Sequence, residues 1–84
     1  MAKRKYSVSS RVAYHRARAN SSKTSVRKKA YSLNWLDGYT DRYARDNYAA
    51  VCSEISRKKG KLTRNERAML YGYRNGLKAQ LEKK

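Results

Sequence analysis

The strongest constraint on the fold is a helix start signal between two segments with helical spacing. The sequence Thr63-Arg-Asn-Glu66 is a capping box, in which each side chain can satisfy the other residue's backbone amide. Apolar residues recur at steps of three, four and seven across residues 26–57, and again across residues 69–81. The pattern therefore predicts helices on both sides of the box and an all-α fold.

The short connection between the two periodic segments favours a small antiparallel helical hairpin, which we place in a domain over residues 26–84. The first helix is predicted to end in a basic run before Gly60, which suits a left-handed C-terminal cap. We prefer a helix that continues through Asp37 and Gly38. A break at that pair would give three helices instead.

The N-terminal residues 1–25 are rich in basic and small polar residues and poor in apolar ones. Such a segment buries too little surface to offset the entropy lost on ordering, so we predict a basic, largely disordered arm. A short helix over about 10–19 is an alternative. It would place Arg11, His15 and Arg18 on one face, which would suit a phosphate backbone.

Two interior glycines, Gly38 and Gly72, lie in segments that share the pattern L-x-G-Y-x-(D/N). Glycine inside a helix costs about 1 kcal/mol relative to alanine, so we expect close backbone approach to compensate. In a straight hairpin, Gly72 would lie opposite about Tyr48 and Gly76 opposite about Ala44. Gly38 would then face the N-terminal segment, a partner chain or a helix break.

Asp37, Asp41 and Asp46 place half of the six carboxylates within ten residues. Three interpretations are a metal or acid–base site, a contact surface for a basic partner, and an exposed helix face. Nothing nearby completes a metal shell, whereas Asp41 and Arg45 have the acid-first, four-residue spacing of a stabilising pair. We predict an exposed, internally paired helix face, with no metal and no cofactor.

Catalytic motifs are not found in the sequence. His15 is the single histidine and lies in the predicted arm, and Cys52 is the single cysteine, expected to pack as a small apolar residue. There is no nucleophile elbow and no phosphate-binding loop. We therefore predict no catalytic residues and no enzymatic activity.

The charge of the chain points to a polyanionic partner. The formal net charge is +16, divided into +10 over residues 1–29, −2 over 30–56 and +8 over 57–84. An ordinary soluble surface intersperses the two signs, whereas both ends of this chain are nearly free of acids. The pattern predicts nucleic-acid binding through phosphate contacts.

The predicted nucleic-acid-binding residues form two patches, the arm and the interhelix loop. The arm contributes Lys3, Arg4, Lys5, Arg11, Arg16, Arg18, Lys23, Arg27, Lys28 and Lys29, and the loop contributes Arg57, Lys58, Lys59, Lys61 and Arg64. Tyr6 and Tyr14 are predicted to stack on unpaired bases. RNA is slightly favoured over DNA, because tyrosine stacking and basic arms suit irregular RNA. We expect a structural or accessory component of a ribonucleoprotein, viral or chromosomal packaging particle.

An alternative function is an interaction protein, an inhibitor or adaptor, that docks an aromatic surface of Trp35, Tyr39 and Tyr43 on an acidic protein partner. A core this small also leaves room for a homodimer. No membrane partner is expected, because no apolar run approaches the roughly 18 residues of a span. We expect a cytoplasmic, nucleoid or virion location, with organellar import left open by the acid-free N-terminus.

Overall fold

The computed structural model describes residues 8–82, and all regular secondary structure in that part of the chain is helical. The four helices are α1 (Val8–Asn20), α2 (Val26–Tyr39), α3 (Ala44–Arg57) and α4 (Arg64–Glu82). The predicted all-α fold is confirmed. The described residues form four helices: three of them lie in residues 26–82, as the three-helix alternative predicts, and α1 corresponds to the short helix that was the alternative to a disordered arm.

The starts of α2 and α4 follow from local capping chemistry. Ser25 precedes α2, and its side-chain oxygen accepts a hydrogen bond from the Lys28 amide at 3.3 Å. The predicted capping box is present before α4: the Thr63 amide donates to Glu66 Oε1 at 3.0 Å, and the Glu66 amide donates to Thr63 Oγ1 at 3.1 Å. Gly60, with φ +82°, adopts the left-handed conformation in the connection between α3 and α4.

The prediction of one helix over residues 26–57 is wrong, because α2 ends at Tyr39. The three-helix alternative is the better description, although the break follows Tyr39 and not the Asp37–Gly38 pair. The C-terminal carbonyls of α2 find a partner outside the helix: Gln80 Nε2 donates to the carbonyl oxygens of Gly38, Tyr39 and Asp41 at 3.1, 2.7 and 2.8 Å. The Gly38 oxygen also accepts from the Asp41 amide at 3.2 Å, so Gln80 adds to the local hydrogen bonds that stabilise the end of α2.

For residues 8–25 the predicted disorder is wrong and the alternative of a short helix over about 10–19 is confirmed, because these residues form α1 and a turn. The helix packs on α2 through His15, which is only 6% exposed and stacks on Trp35 with ring centroids 4.3 Å apart. A count of aliphatic residues missed this contact, because an aromatic stack supplies the buried surface. The predicted arm residues Lys3, Arg4, Lys5 and Tyr6 lie outside the described residues.

Helix α2 makes its most extensive contact with α4, and the two helices run in the same direction. Gly72 lies against the backbone of Tyr31, and Gly76, one turn later, lies against the backbone of Trp35, one turn later in α2. The expected positions of these glycines opposite Tyr48 and Ala44 are therefore wrong. The expected close approach of backbones at the glycines is confirmed.

The remaining helices lie on either side of this parallel pair. Helix α1 packs on α2, and α3 packs antiparallel on α4 around a core of Ala44, Val51, Ile55 and Leu77. The helices therefore lie in the spatial order α1, α2, α4, α3. Helices that follow one another along the chain run in opposite directions. The α1–α2 and α3–α4 connections therefore lie at the same end of the molecule.

Candidate nucleic-acid interface

The topology brings together the two basic patches that the sequence separates. The C-terminal part of the predicted arm leads into α2, and the interhelix loop leads into α4. Since α2 and α4 are parallel, both helix starts point to the same end of the bundle. Cations that are about 35 residues apart in the sequence therefore become neighbours on one surface.

We use the name basic face for the surface formed by three neighbouring concavities between the helices. Its basic side chains are Arg18, Arg27, Lys28, Lys59, Arg64, Arg67 and Arg74, and its aromatic side chains are Tyr14, Tyr31 and Tyr71. No acidic side chain lines any of the three concavities. The absence of nearby acids leaves the positive field of this face unneutralised.

The middle concavity lies between the starts of α2 and α4 and has a volume of about 440 Å³. Arg27, Arg64 and Arg67 surround it, and the rings of Tyr31 and Tyr71 line it. The three guanidinium groups are exposed and make no ion pair with another described residue. They are therefore free to contact anionic groups from outside the molecule.

The second concavity lies between α1 and α2. Tyr14 is 55% exposed there, and its hydroxyl accepts a hydrogen bond of 2.7 Å from Arg18, whose guanidinium lies 5.1 Å from the centre of the Tyr14 ring. Beneath them, burial lowers the pKa of His15 to about 4, with Arg18 and Arg11 adding in the same direction. His15 is therefore neutral near pH 7 and adds no charge to the basic face.

The third concavity, between α3 and α4, is connected to the others by a chain of hydrogen bonds. The Arg74 guanidinium lies 4.7 Å from the centre of the Tyr71 ring and donates to Asn75 Oδ1, with Nη2 at 2.9 Å. Asn75 Nδ2 in turn donates to the Tyr31 hydroxyl at 2.7 Å. Because arginine can only donate, this chain fixes the orientation of the Asn75 amide.

The three glutamates of the described residues engage partners away from the basic face. Glu54 accepts from Lys58 Nζ at 2.8 Å and lies 3.5 Å from the Arg57 guanidinium. Glu82 lies 4.0 Å from the Arg11 guanidinium. The Thr63 amide and hydroxyl lower the pKa of Glu66 in the capping box.

Asp41 has a structural role that the sequence interpretation missed. It lies in the turn between α2 and α3, where its carboxylate accepts from the Tyr73 hydroxyl, from Asn47 Nδ2 at 2.9 Å and from the Tyr43 amide at 2.8 Å. These hydrogen bonds lower the pKa of Asp41, and burial together with the same carboxylate raises the pKa of Tyr73 to about 12. The predicted pairing of Asp41 with Arg45 is wrong, since Asp41 joins the α2–α3 turn to α4.

The predicted site residues divide into four groups by position. On the basic face lie Tyr14, Arg18, Arg27, Lys28, Lys59 and Arg64. Paired with acids are Arg11, Arg57 and Lys58. Outside the three concavities lie Arg16, Lys23, Lys29 and Lys61, and outside the described residues lie Lys3, Arg4, Lys5 and Tyr6. The structure therefore brings six of the predicted residues to one surface.

Sequence reasoning missed four residues of the basic face: Tyr31, Arg67, Tyr71 and Arg74. The last three follow Arg64 at steps of three, four and three, which places them on one side of α4. A search for periodic cations and tyrosines, in addition to periodic apolar residues, would have found this stripe. Tyr31 lies on α2, so it could be assigned to the same surface only once α2 and α4 were known to be parallel neighbours.

The aromatic surface predicted for a protein partner is wrong at its centre. Trp35 is 2% exposed and lies between His15 and Tyr39, whose ring is stacked on the indole with centroids 5.4 Å apart. Tyr39 is half-buried in the same stack, whereas Tyr43 is 63% exposed. The Trp35 indole is therefore part of the contact between α1 and α2 and offers almost no surface to a partner protein.

Comparisons with known proteins identify no relative: no family model matches the chain, and neither curated proteins nor solved structures give a significant match. None of the helices described is long and apolar enough to cross a membrane. Across residues 8–82, no three His, Cys, Asp or Glu side chains lie together as a metal site would require. The basic face is therefore the feature of the described residues from which a function can be inferred.

Proposed function

We propose that the protein binds nucleic acid at the basic face, mainly through phosphate contacts, with RNA favoured slightly over DNA. The observation that carries this proposal is the convergence of seven basic side chains, from α1, α2, α4 and the α3–α4 connection, on a surface that no acidic side chain of the described residues lines. Five of the seven are arginines, including all three cations of the middle concavity, and arginine can hold a phosphate through two hydrogen bonds. Such a protein would serve as a structural or accessory component of a nucleoprotein particle.

The salt dependence of binding tests the phosphate contacts directly. If about six phosphates are neutralised, the logarithm of affinity should fall with the logarithm of salt concentration with a slope near −5 on duplex and near −4 on single strands. The measurement is a fluorescence-anisotropy titration of labelled RNA and DNA at several salt concentrations. A slope near zero would contradict the proposal.

A charge-reversal variant locates the contacts on the molecule. Changing Arg27, Arg64 and Arg67 together to Glu should flatten the single-strand slope by about 2, because each lost contact removes roughly 0.7. The matched control changes three exposed arginines outside the basic face, Arg16, Arg42 and Arg45, to Glu. This control has the same net charge and should retain a steeper slope and tighter binding. Equal losses in the two variants would mean that net charge, and not the basic face, determines binding.

A further inference from the structure

The tyrosines of the basic face indicate which form of nucleic acid it accepts. We infer that the strand bound there is unpaired, an inference that rests on the proposed function and specifies its ligand. Tyr14, Tyr31 and Tyr71 each line a concavity together with at least one arginine. Aromatic rings interleaved with cations are the elements with which proteins hold single strands, because every base has a face that can stack.

The shape of the basic face argues against a duplex. Its cations and tyrosines line concavities between neighbouring helices, whose axes lie about 8–10 Å apart in packed helices. A double helix is much wider than such a concavity and would contact the rims, leaving Tyr31 and Tyr71 untouched. Proteins that read duplex DNA instead insert a convex element into its major groove. A single strand is narrow enough to bring its bases to the rings.

Tyr14 is positioned to receive a base. Its side chain is 55% exposed. A hydrogen bond of 2.7 Å from Arg18 to its hydroxyl and an edge-on contact with the His15 ring, with centroids 5.1 Å apart, fix its position. Because the Tyr14 hydroxyl oxygen accepts from Arg18, its proton is available to donate to a ligand. An exposed ring that is held in place loses little freedom when a base stacks on it.

Tyr31 and Tyr71 extend the same arrangement across α2 and α4. The Tyr31 hydroxyl accepts from Asn75, so its own proton is also available for a phosphate oxygen or a base acceptor. Tyr71 is partly covered by the Arg74 guanidinium, which can continue a stack and contact a phosphate at once. The three tyrosines thus follow one path across the bundle from α1 to α4.

The test compares unpaired and paired probes of about 12 nucleotides, a length within the range of single-strand sites. The probes are oligouridylate RNA, oligothymidylate DNA, and RNA and DNA duplexes of the same length, all titrated at one salt concentration. We expect the intact protein to bind the single strands about tenfold tighter than the duplexes. Comparison of the RNA and DNA probes shows whether the sugar affects affinity. Tighter binding of either single strand than of its duplex supports the inference. Equal or tighter binding of the duplexes would overturn it.

Removing a ring identifies the stacking contact. Tyr14→Leu should weaken single-strand binding about tenfold and change duplex binding by less than about twofold, whereas Tyr14→Phe should retain single-strand binding. Tyr14 is exposed, so the leucine variant should stay folded, which circular dichroism can verify. Tyr71 packs against the core, so Tyr71→Phe serves there as a ring-retaining comparison.

The outcomes separate this inference from the proposed function. If the Arg27, Arg64 and Arg67 reversal abolishes binding but Tyr14→Leu affects single strands and duplexes equally, phosphate binding stands and the unpaired-strand inference is wrong. If the charge reversal leaves binding unchanged, the basic face is not the site and both fail. Selective loss of single-strand binding in Tyr14→Leu supports both.

Discussion

Helix α2 packs against its two main neighbours by different chemistry. On the α4 side the contact is between backbones, because Gly72 and Gly76 present no side chain to Tyr31 and Trp35. On the α1 side the contact is between rings, with His15 stacked on Trp35 and hydrogen-bonded to the hydroxyl of Ser32 at 3.0 Å. The glycine contact places no ionisable side chain between the helix backbones, whereas the ring stack depends on a histidine that must stay neutral.

This difference teaches how a small, highly charged chain obtains a fixed shape. Close approach of α2 and α4 fixes the parallel pair and hence the relative positions of the cations on the basic face. The ring stack then adds α1, with Tyr14 and Arg18, to that framework. We expect damage to the glycine contact to affect the whole fold and damage to the ring stack to affect α1.

The largest effect is expected from Gly76→Ala. A Cβ atom there would overlap the carbonyl oxygen of Trp35 and lie 2.7 Å from its carbonyl carbon and 2.9 Å from the Tyr39 nitrogen. These are backbone atoms that cannot rotate away, so we expect a loss of about 3 kcal/mol or more in the free energy of unfolding, despite alanine's better helix propensity. Urea denaturation followed by circular dichroism measures the change.

The matched control is Gly60→Ala in the α3–α4 connection. A Cβ at Gly60 would meet no atom within 4 Å, and the cost arises from its left-handed backbone, with φ +82°, at about 1 kcal/mol. If Gly76→Ala destabilised the protein no more than Gly60→Ala, the close contact between α2 and α4 would not be the main determinant of the fold.

The second effect is a pH dependence confined to the ring stack. The pKa of His15 is about 4 in the folded protein against 6.5 for the free side chain, so the unfolded state binds more protons between these values. The stabilisation from neutral His15 is fully present above about pH 6.5 and decreases as the pH falls towards 4. Fluorescence of Trp35, the single tryptophan, should report exposure of the indole as α1 separates from α2.

The control for this pH effect is His15→Gln, which can still hydrogen-bond but does not titrate in this range. Its unfolding free energy should be lower at pH 7 and should vary less between pH 6.5 and 4 than that of the intact protein. Carboxylates that titrate near pH 4 affect both proteins, so the difference between the two curves isolates His15. Parallel curves would show that His15 is not responsible.

The sequence was sufficient for the elements with local causes. The capping box of Thr63 and Glu66 and the left-handed turn at Gly60 depend on neighbouring residues, so the sequence was sufficient to predict them. The charge pattern likewise indicated that cations would be concentrated, and six predicted residues do share the basic face.

The elements that escaped sequence reasoning depend on contacts between distant residues. The end of α2 at Tyr39 is stabilised by Gln80, about forty positions later, which donates to the carbonyl oxygens of Gly38 and Tyr39. Helix α1 is ordered through an aromatic stack on Trp35, which a count of apolar residues does not detect. Asp41 was predicted to lie on an exposed helix face, whereas its carboxylate accepts a hydrogen bond from Tyr73, 32 positions later. A control charge reversal in the acidic segment should therefore use Asp46, which is exposed, and avoid Asp41.

The smallest effect is expected from Ser32→Ala, which separates the hydrogen bond from the stack within the α1–α2 contact. Ser32 is fully buried, and its hydroxyl is the partner of His15 Nδ1. Removing it leaves a buried ring nitrogen without that partner while the stack on Trp35 remains, so we expect a loss of about 1 kcal/mol in the free energy of unfolding. Urea denaturation gives this value, and near-ultraviolet circular dichroism of Trp35 should be preserved. A loss as large as that of Gly76→Ala would mean that the contact between α1 and α2 depends on the hydrogen bond more than on ring stacking. The two sides of α2 would then differ as a backbone contact differs from a polar side-chain contact.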